Sequence, residues 1–121
     1  MTMEIHSLGT AEPFRTADGS TIRSLLDRSN APVANQSLAE ATIAVGTATQ
    51  RHYHRESEEF YFLLEGEGHI EIDGVSRTVS PGDAILIPPG SWHQITADSG
   101  LEIRMLVCCA PPYRNEDTFF G

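Results

Sequence analysis

The sequence predicts an all-β protein, either a sandwich or a barrel. Short segments rich in β-branched and aromatic residues follow one another through most of the 121 residues. Turns that contain glycine or proline separate them, as at Asp73-Gly74, Pro81-Gly82-Asp83 and Pro88-Pro89-Gly90. Short strands with frequent turns are typical of sandwiches and barrels. The length suits one domain, which we expect to span the whole chain.

The predicted strands run from residue 21 to residue 109. Thr21–Arg28 is the one stretch that could form a short helix, but it is also compatible with a strand, and we interpret it as one. His69–Asp73 and Val75–Val79 are expected to form a β-hairpin around a two-residue turn. Residues 110–121 are expected to form a tail or lid. The other strands are expected at Ser37–Val45, Glu59–Leu64, Ala84–Pro88, Trp92–Thr96 and Leu101–Cys109.

Several glycines are expected at the corners of the fold. Glycine tolerates the positive φ angles that sharp turns often need, so their expected role is structural. These residues are Gly66, Gly68, Gly74, Gly82 and Gly90.

The composition is that of a globular protein with an excess of acidic groups. Hydrophobic residues make up 40% of the chain, charged residues 21%, and the formal net charge is −9. This charge argues against nucleic acid and anionic membranes as partners, since both need clustered basic residues. No apolar run approaches the ~20 residues that span a bilayer, and Met1–His6 does not resemble a secretory signal. We therefore expect a cytoplasmic protein.

The two cysteines, Cys108 and Cys109, are adjacent in the sequence. A disulfide between neighbouring residues is strained, and a reducing compartment disfavours disulfides in any case. Both are expected to be ordinary strand residues.

Four side chains of the kind that bind metal ions occur at suggestive spacings, namely His52, His54, Glu59 and His93. Side chains two residues apart on a strand share a face, so His52 and His54 can point toward the same ion. Imidazole and carboxylate groups suit one divalent transition ion, such as Fe, Mn, Ni, Zn, Co or Cu. Such a set leaves one or two coordination positions open, as catalytic sites do.

Two sequence motifs resemble those of the cupin superfamily, in particular its small bacterial single-domain members. The first motif, G-x5-H-x-H-x4-E-x6-G, is matched at every defined position. The second, G-x5-P-x-G-x2-H-x3-N, is matched except at its last position, where Ala97 replaces asparagine. The matching residues are Gly46, His52, His54, Glu59 and Gly66 in the first motif and Gly82, Pro88, Gly90 and His93 in the second.

The resemblance implies a double-stranded β-helix, a small jelly-roll barrel with a metal ion near its centre. The barrel core would span about residues 36–109, with strands before it in residues 1–35 and the tail after it. Glu58 is a rival for the carboxylate ligand, but the six residues between Glu59 and Gly66 match the family pattern. By this match, the four metal ligands are His52, His54, Glu59 and His93.

Cupins carry out many chemistries, so the resemblance implies a range of functions. We expect a metalloenzyme that acts on a small oxygenated metabolite (a sugar acid, hydroxy-ketone or diketone) by isomerase/lyase or dioxygenase chemistry. The alternative is a non-catalytic module that binds a small ligand or the metal alone. A third interpretation gives the metal a purely structural role.

Further side chains are candidates for catalytic or binding roles in the barrel. Tyr61 lies two residues from the glutamate ligand and would share its face, either lining the pocket or packing in the core. Arg23 and Arg104 lie on predicted strands, where they could grip a carboxylate or remain surface charges. Gln50 would be in register with the histidine pair, and Glu58 could serve as a general base or remain a solvated charge.

Two predicted strands are apolar on both faces. In Glu59–Leu64, the side chains of Phe60, Phe62 and Leu64 would point away from the ligand face, and Ala84–Ile87 is apolar throughout. An outward apolar set needs cover, either from the N-terminal strands or from a second subunit. We therefore expect a homodimer.

Overall fold

A computed structural model describes residues 3–121, so Met1 and Thr2, which belong to the expected N-terminal region, lie outside the described residues. Within this range the chain forms eleven β-strands and two short 3₁₀ turns, at Leu8–Thr10 and Asn115–Asp117. No helix among these residues is long and apolar enough to cross a membrane. The strands are β1 (Phe14–Arg15), β2 (Thr21–Leu26), β3 (Ser37–Ile43), β4 (His52–His54), β5 (Glu58–Glu65), β6 (Gly68–Ile72), β7 (Val75–Val79), β8 (Ala84–Ile87), β9 (His93–Thr96), β10 (Ile103–Ala110) and β11 (Thr118–Phe120).

The strands form two antiparallel sheets, consistent with a jelly-roll barrel. One sheet has six strands in the order β1-β2-β3-β10-β5-β8, and the other has five in the order β11-β4-β9-β6-β7. Strands far apart in sequence are direct neighbours, as where β10 pairs with both β3 and β5. This architecture confirms the predicted all-β class, and β2 forms where a strand rather than a helix was predicted.

The core lies between the sheets and is built by alternation along the strands. In β5, Glu59, Tyr61 and Leu63 are buried, whereas Phe60 and Phe62 are exposed. Burying a large apolar side chain contributes roughly 1.5–3 kcal/mol, so this inward set fixes which face of β5 meets the core. The core residues from the other strands are Ala41, Ile43, Ile70, Val79, Ile87, Ile95, Ile103 and Met105.

The N-terminal strands do not cover the outward apolar face of β5 and β8. β1 and β2 extend the six-stranded sheet at the opposite end from β8. As a result, Phe60, Phe62 and Leu86 remain 50%, 42% and 54% exposed. Of the two expected sources of cover, the structure excludes the N-terminal strands.

Four of the five glycines expected at corners have positive φ angles. Asp73 and Gly74, with φ of 48° and 87°, form the turn of the predicted β6–β7 hairpin, as a type I′ turn requires. The other three are Gly66 at 83°, Gly82 at 92° and Gly90 at 81°.

Gly68 differs from these four because its φ is not in the positive range, so that close packing alone requires a glycine there, whereas Gly66 combines a positive φ with a close approach to the backbone of Glu102. A Cβ atom at this position would collide with the backbone oxygen of Thr96 on the paired strand β9 and would press against the side chain of Ile103. Gly68 therefore allows β6 to lie close to β9 in its own sheet and to Ile103 of β10 in the other sheet, a different role from the expected corner.

The segment after residue 110, expected as a tail or lid, is part of the five-stranded sheet. β11 pairs with β4, with Thr118 opposite His54 and Phe120 opposite His52. Just before β11, the buried Asp117 carboxylate accepts hydrogen bonds from the backbone N–H groups of Glu56 and Ser57 at 2.9 and 3.0 Å. The segment therefore holds both β4 and the loop that follows it.

Substituting Gly68 with alanine is expected to destabilise the fold, because the backbone of Thr96 cannot move aside without breaking the β6–β9 pairing. We expect a loss of about 1–3 kcal/mol in the free energy of unfolding, the usual cost of overpacking a core. Gly9→Ala is the matched control, since a Cβ at Gly9 would meet nothing within 4 Å. Urea denaturation measures both, and equal midpoints for the two variants would contradict the close-packing role of Gly68.

Candidate metal centre

The four predicted ligands converge between the two sheets. His52 and His54 lie on β4, His93 lies opposite His52 on β9, and Glu59 comes from β5 in the other sheet. One ligand atom from each residue lies within 4.8 Å of the others. All four side chains are buried, with at most 4% of each residue exposed. The structure therefore brings together three imidazoles and one carboxylate that could hold a metal ion.

Two of the imidazoles are oriented by carbonyl groups two residues earlier in the chain. Nδ1 of His52 lies 2.7 Å from the carbonyl oxygen of Gln50, and Nδ1 of His93 lies 3.0 Å from that of Ser91. Donation of the Nδ1 proton to a carbonyl fixes the tautomer and leaves Nε2 as the free lone pair. Nε2 of both rings is thereby available to an ion at the centre.

The third imidazole, His54, is oriented by the C-terminal segment. Its Nδ1 lies 3.3 Å from the backbone oxygen of Asp117 and 3.3 Å from the hydroxyl oxygen of Thr118. Its Nε2 lies 3.5 Å from Oε1 of Glu59. Loops and β11 thus contribute the residues that orient the three rings. Regular strands contribute the ligands themselves.

Two ligand atoms are buried without a hydrogen-bond partner among the described residues. They are Oε1 of Glu59 and Nε2 of His93, which lie 3.2 Å apart. Buried polar atoms almost always have a partner, so such a pair indicates a missing one. A cation bound by both atoms would satisfy them, and the residues of this centre therefore fit a metal ion.

The environment of the centre favours the metal-binding forms of Glu59 and His52, whereas it shifts His54 toward its charged form. Burial raises the pKa of Glu59, but His54 and His93 lower it by more, and the net shift is strongly downward. Burial lowers the pKa of His52, and the neighbouring His93 lowers it further. Burial also lowers the pKa of His54, but Glu59 outweighs this effect and raises it overall. The carboxylate and the neutral His52 are the forms that bind metal.

Cys109 contacts the glutamate ligand, a role that the sequence did not predict. Its thiol donates to Oε2 of Glu59 at 3.2 Å, and the two residues are directly opposite each other on β10 and β5. Burial and the charge of Glu59 raise the pKa of Cys109, so the thiol keeps its proton. Cys108, by contrast, faces the other side of the strand, is only partly buried, and is the ordinary strand residue that was expected.

Tyr61 lies where alternation predicted it, on the same face as Glu59. It is buried, lines the cavity beside the centre, and its ring centroid is 6.1 Å from that of His93. Burial raises the pKa of Tyr61 well above its ordinary value, and the nearby Glu59 adds to the shift. Its phenol can therefore act as a hydrogen-bond donor.

Arg23 and Arg104 lie on the outer face of the six-stranded sheet, in the surface position that the sequence left open as the alternative to a pocket role. Arg104 donates to Glu40 at 2.7 Å and to Glu65 at 3.0 Å. Arg23 lies 3.5 Å from the other oxygen of Glu40. Glu40 alternates with the core residue Ala41 on β3, so its side chain and both guanidinium groups point away from the cavity.

Gln50 and Glu58 also lie outside the cavity, Gln50 against its expected register and Glu58 as the solvated charge that was its alternative role. Gln50 is exposed because β4 begins only at His52, and the side-chain register does not extend back to it. It orients His52 through its backbone carbonyl oxygen and not through its side chain. Glu58 is exposed because it alternates with the buried Glu59 on β5.

The centre opens onto a narrow cavity of about 70 Å³. Ile22, Ala41 and Met105 supply apolar parts of its wall, and Asp18 and Tyr113 supply polar ones. Neither Asp18 nor Tyr113 was among the sequence-based candidates. Asp18 lies in the loop between β1 and β2, and Tyr113 lies in the C-terminal segment.

The substitution in the second motif is explained by backbone contacts. Ala97 is fully buried, its N–H donates to the carbonyl of Thr47, and its own carbonyl accepts from Gly46. The backbone alone therefore holds the turn at residues 46–47 to the end of β9. The side chain that the family pattern has at this position is not needed for that contact.

Comparison with known proteins agrees with this architecture. The chain is 43% identical over 107 residues to an uncharacterised protein of Methanocaldococcus jannaschii, covering 88% of this chain and 86% of that one. A crystal structure of a Planctomyces limnophilus protein superposes with a TM-score of 0.83 at 26% identity, covering 98% and 97% of the two chains.

An enzyme is also among the similar structures. The polyketide cyclase RemF of Streptomyces resistomycificus superposes with a TM-score of 0.77 at 25% identity, covering 97% of this chain and 89% of that one. The sequence model of the cupin domain matches residues 39–109, which is more than half of the chain. The protein therefore belongs to the cupin family.

Proposed function

We propose that this protein is a metal-dependent enzyme that acts on a small oxygenated metabolite, by isomerase/lyase or dioxygenase chemistry. The observation that carries the proposal is the pair of unpartnered buried atoms, on Glu59 and His93, at the end of a cavity. A divalent ion held by these two residues with His52 and His54 would supply Lewis acidity toward a substrate oxygen and, if it is redox-active, a means of using O₂.

The residues around the centre support a reactive rather than a purely structural site. His52, His54 and Glu59 all line the cavity, so their side of the centre is open to a small molecule. A structural site would be closed by its ligands. The apolar wall formed by Ile22 and Met105 limits access of water, which strengthens electrostatic interactions inside.

Two side chains have distinct tasks in this proposal. Tyr61 lines the cavity, and its hydroxyl can donate a hydrogen bond to a substrate oxygen. Cys109 holds Oε2 of Glu59 and so fixes the orientation of the carboxylate. The similarity to a polyketide cyclase supports an enzyme, since that protein combines a closely similar structure with a catalytic role.

We also propose that the protein is a cytoplasmic homodimer. Cys108 and Cys109 are free thiols, which suits a reducing compartment. Phe60, Phe62 and Leu86 form an exposed apolar patch on the outer face of β5 and β8, and neighbouring β-strands pair Phe60 directly with Leu86. A second copy of the chain placed on this patch would remove it from water.

Glu59→Gln is expected to remove most of the bound metal, because the variant replaces the one anionic ligand with a neutral amide. We expect the affinity for a divalent ion to fall about tenfold or more. Glu58→Gln is the matched control, since it removes the same charge one residue away on the exposed face. Metal analysis of the purified proteins measures the effect, and loss of metal from the Glu58 variant alone would assign the carboxylate ligand to Glu58.

The class of reaction is tested by metal content and oxygen uptake. Protein purified from unsupplemented cells is expected to contain about one divalent transition ion per chain, held by the four-residue set. Iron or copper with O₂ consumption on a panel of hydroxy-ketones and diketones identifies a dioxygenase. Manganese, nickel or zinc with conversion but no O₂ uptake identifies an isomerase or lyase. Binding without conversion of any compound would favour the non-catalytic module.

The homodimer is tested by sedimentation. The wild-type chain has a mass of 13.2 kDa, so the proposal expects about twice this mass in solution. Phe62→Glu is expected to give the monomer mass, because a charge in the centre of the apolar patch opposes its burial. Leu101→Glu controls for added charge on a separate exposed residue that is 59% accessible. A wild-type protein that sediments as a monomer would exclude the dimer.

A further inference from the structure

Asp18 presents one free carboxylate oxygen beside the metal centre. Its Oδ1 accepts three hydrogen bonds, from the hydroxyl of Thr16 at 2.6 Å and from the backbone N–H and hydroxyl of Ser20 at 2.9 and 2.6 Å. Its Oδ2 receives no hydrogen bond from residues 3–121 and lies 3.9 Å from Nε2 of His52. The three donors on Oδ1 leave Oδ2 fixed in position and available to a ligand in the cavity.

The backbone also holds Asp18 in place. Its carbonyl oxygen accepts a hydrogen bond from the N–H of Gln50 at 2.7 Å. Gln50 is the residue whose own carbonyl orients His52. The free oxygen of Asp18 and the ring of His52 are therefore positioned by the same residue. Such a shared support keeps the two groups at a constant distance, as a binding site needs.

The cavity is lined by carboxylates but by no arginine or lysine side chain. Asp18, Asp27 and Glu59 line it, whereas each of the eight arginines lies outside the lining and the sequence contains no lysine. The charges of Glu59 and Asp18 together would offset that of a divalent ion at the centre. A small anionic substrate would therefore meet no net positive charge and no Arg or Lys partner, and it would face the carboxylate of Asp18. Repulsion between like charges is strong in a partly buried site.

Asp27 differs from Asp18 in having no free oxygen. Its Oδ1 accepts from the backbone N–H and hydroxyl of Ser29 at 2.7 and 2.5 Å, and its Oδ2 accepts from the hydroxyl of Ser24 at 2.5 Å. Both oxygens are thus used to shape the loop after β2. Asp27 contributes charge to the cavity, but it does not offer the acceptor that Asp18 offers.

We infer that Asp18 is a substrate-binding residue that accepts a hydrogen bond from a hydroxyl group, and that the cavity selects small uncharged hydroxy-ketones over carboxylates of the same size. This inference rests on the proposed function, since it assumes a ligand at the metal centre, and it narrows the expected substrates by excluding sugar acids. The unpartnered buried atoms of Glu59 and His93 independently indicate a cation at this end of the cavity, to which such a ligand would bind.

The test compares two nearly isosteric probes, hydroxyacetone and pyruvate, on protein loaded with Mn²⁺. Paramagnetic relaxation of the probe protons reports binding near the ion, and titration gives the dissociation constants. Wild-type protein is expected to bind hydroxyacetone about tenfold more tightly than pyruvate. In Asp18→Asn this preference is expected to disappear, because the amide turns a donor instead of an acceptor toward the cavity and removes the charge. Metal content and melting temperature should stay close to those of the wild type.

The variant Asp27→Asn tests whether the preference depends on the free oxygen of Asp18 or on the total negative charge of the cavity. It is expected to keep the preference for hydroxyacetone, since its oxygens face serines rather than the ligand. Loss of the preference in both variants would overturn the proposed role of Asp18. Loss of Mn²⁺ from Asp18→Asn would also overturn it, because Asp18 would then be a ligand of the ion. Equal binding of the two probes by the wild type, or no binding of hydroxyacetone, would overturn the proposed preference for uncharged hydroxy-ketones. Failure of the wild type to bind Mn²⁺ would instead refute the proposed function.

Discussion

The carboxylate of Glu59 is the group on which the centre of this molecule depends. It is 4% exposed, and it is the one ligand that comes from the six-stranded sheet, facing three histidines from the other sheet. An isolated buried carboxylate costs several kcal/mol, so its neighbours must supply positive charge or hydrogen-bond donors. Cys109 occupies one oxygen, and the unpartnered second oxygen lies toward the imidazoles. A cation at this point would therefore join the two sheets as well as complete the site.

Much of the fold could be predicted from local patterns. Alternation in β5 correctly separated Glu59 and Tyr61 from the outward Phe60 and Phe62, and the Asp73-Gly74 pair marked the hairpin turn. These predictions succeed because each depends on residues within one strand or one turn. The convergence of the histidines with Glu59 could be expected only through the resemblance to a family, since their strands lie in different sheets.

The remaining features could not be predicted because they depend on where strands begin and on contacts between distant parts of the chain. Gln50 was expected to share the face of His52, but the strand starts after it, so the alternation does not reach that far. Arg104 is on a barrel strand, but nothing in its own segment shows that Glu40, far away in sequence, binds it on the outer face. Asp18 and Cys109 reach the centre through pairings that short-range patterns do not contain.

The attachment of β11 to β4 also makes the site depend on the edge of the five-stranded sheet. The ring of His54 is oriented by Asp117 and Thr118, so its hydrogen bonds form only once those residues are free to pair. β11 is the edge strand of the five-stranded sheet, and it pairs with β4 alone. Edge segments can open locally at a lower free energy than the core strands. Fraying of this edge would therefore release the ring of His54 before the barrel as a whole unfolds.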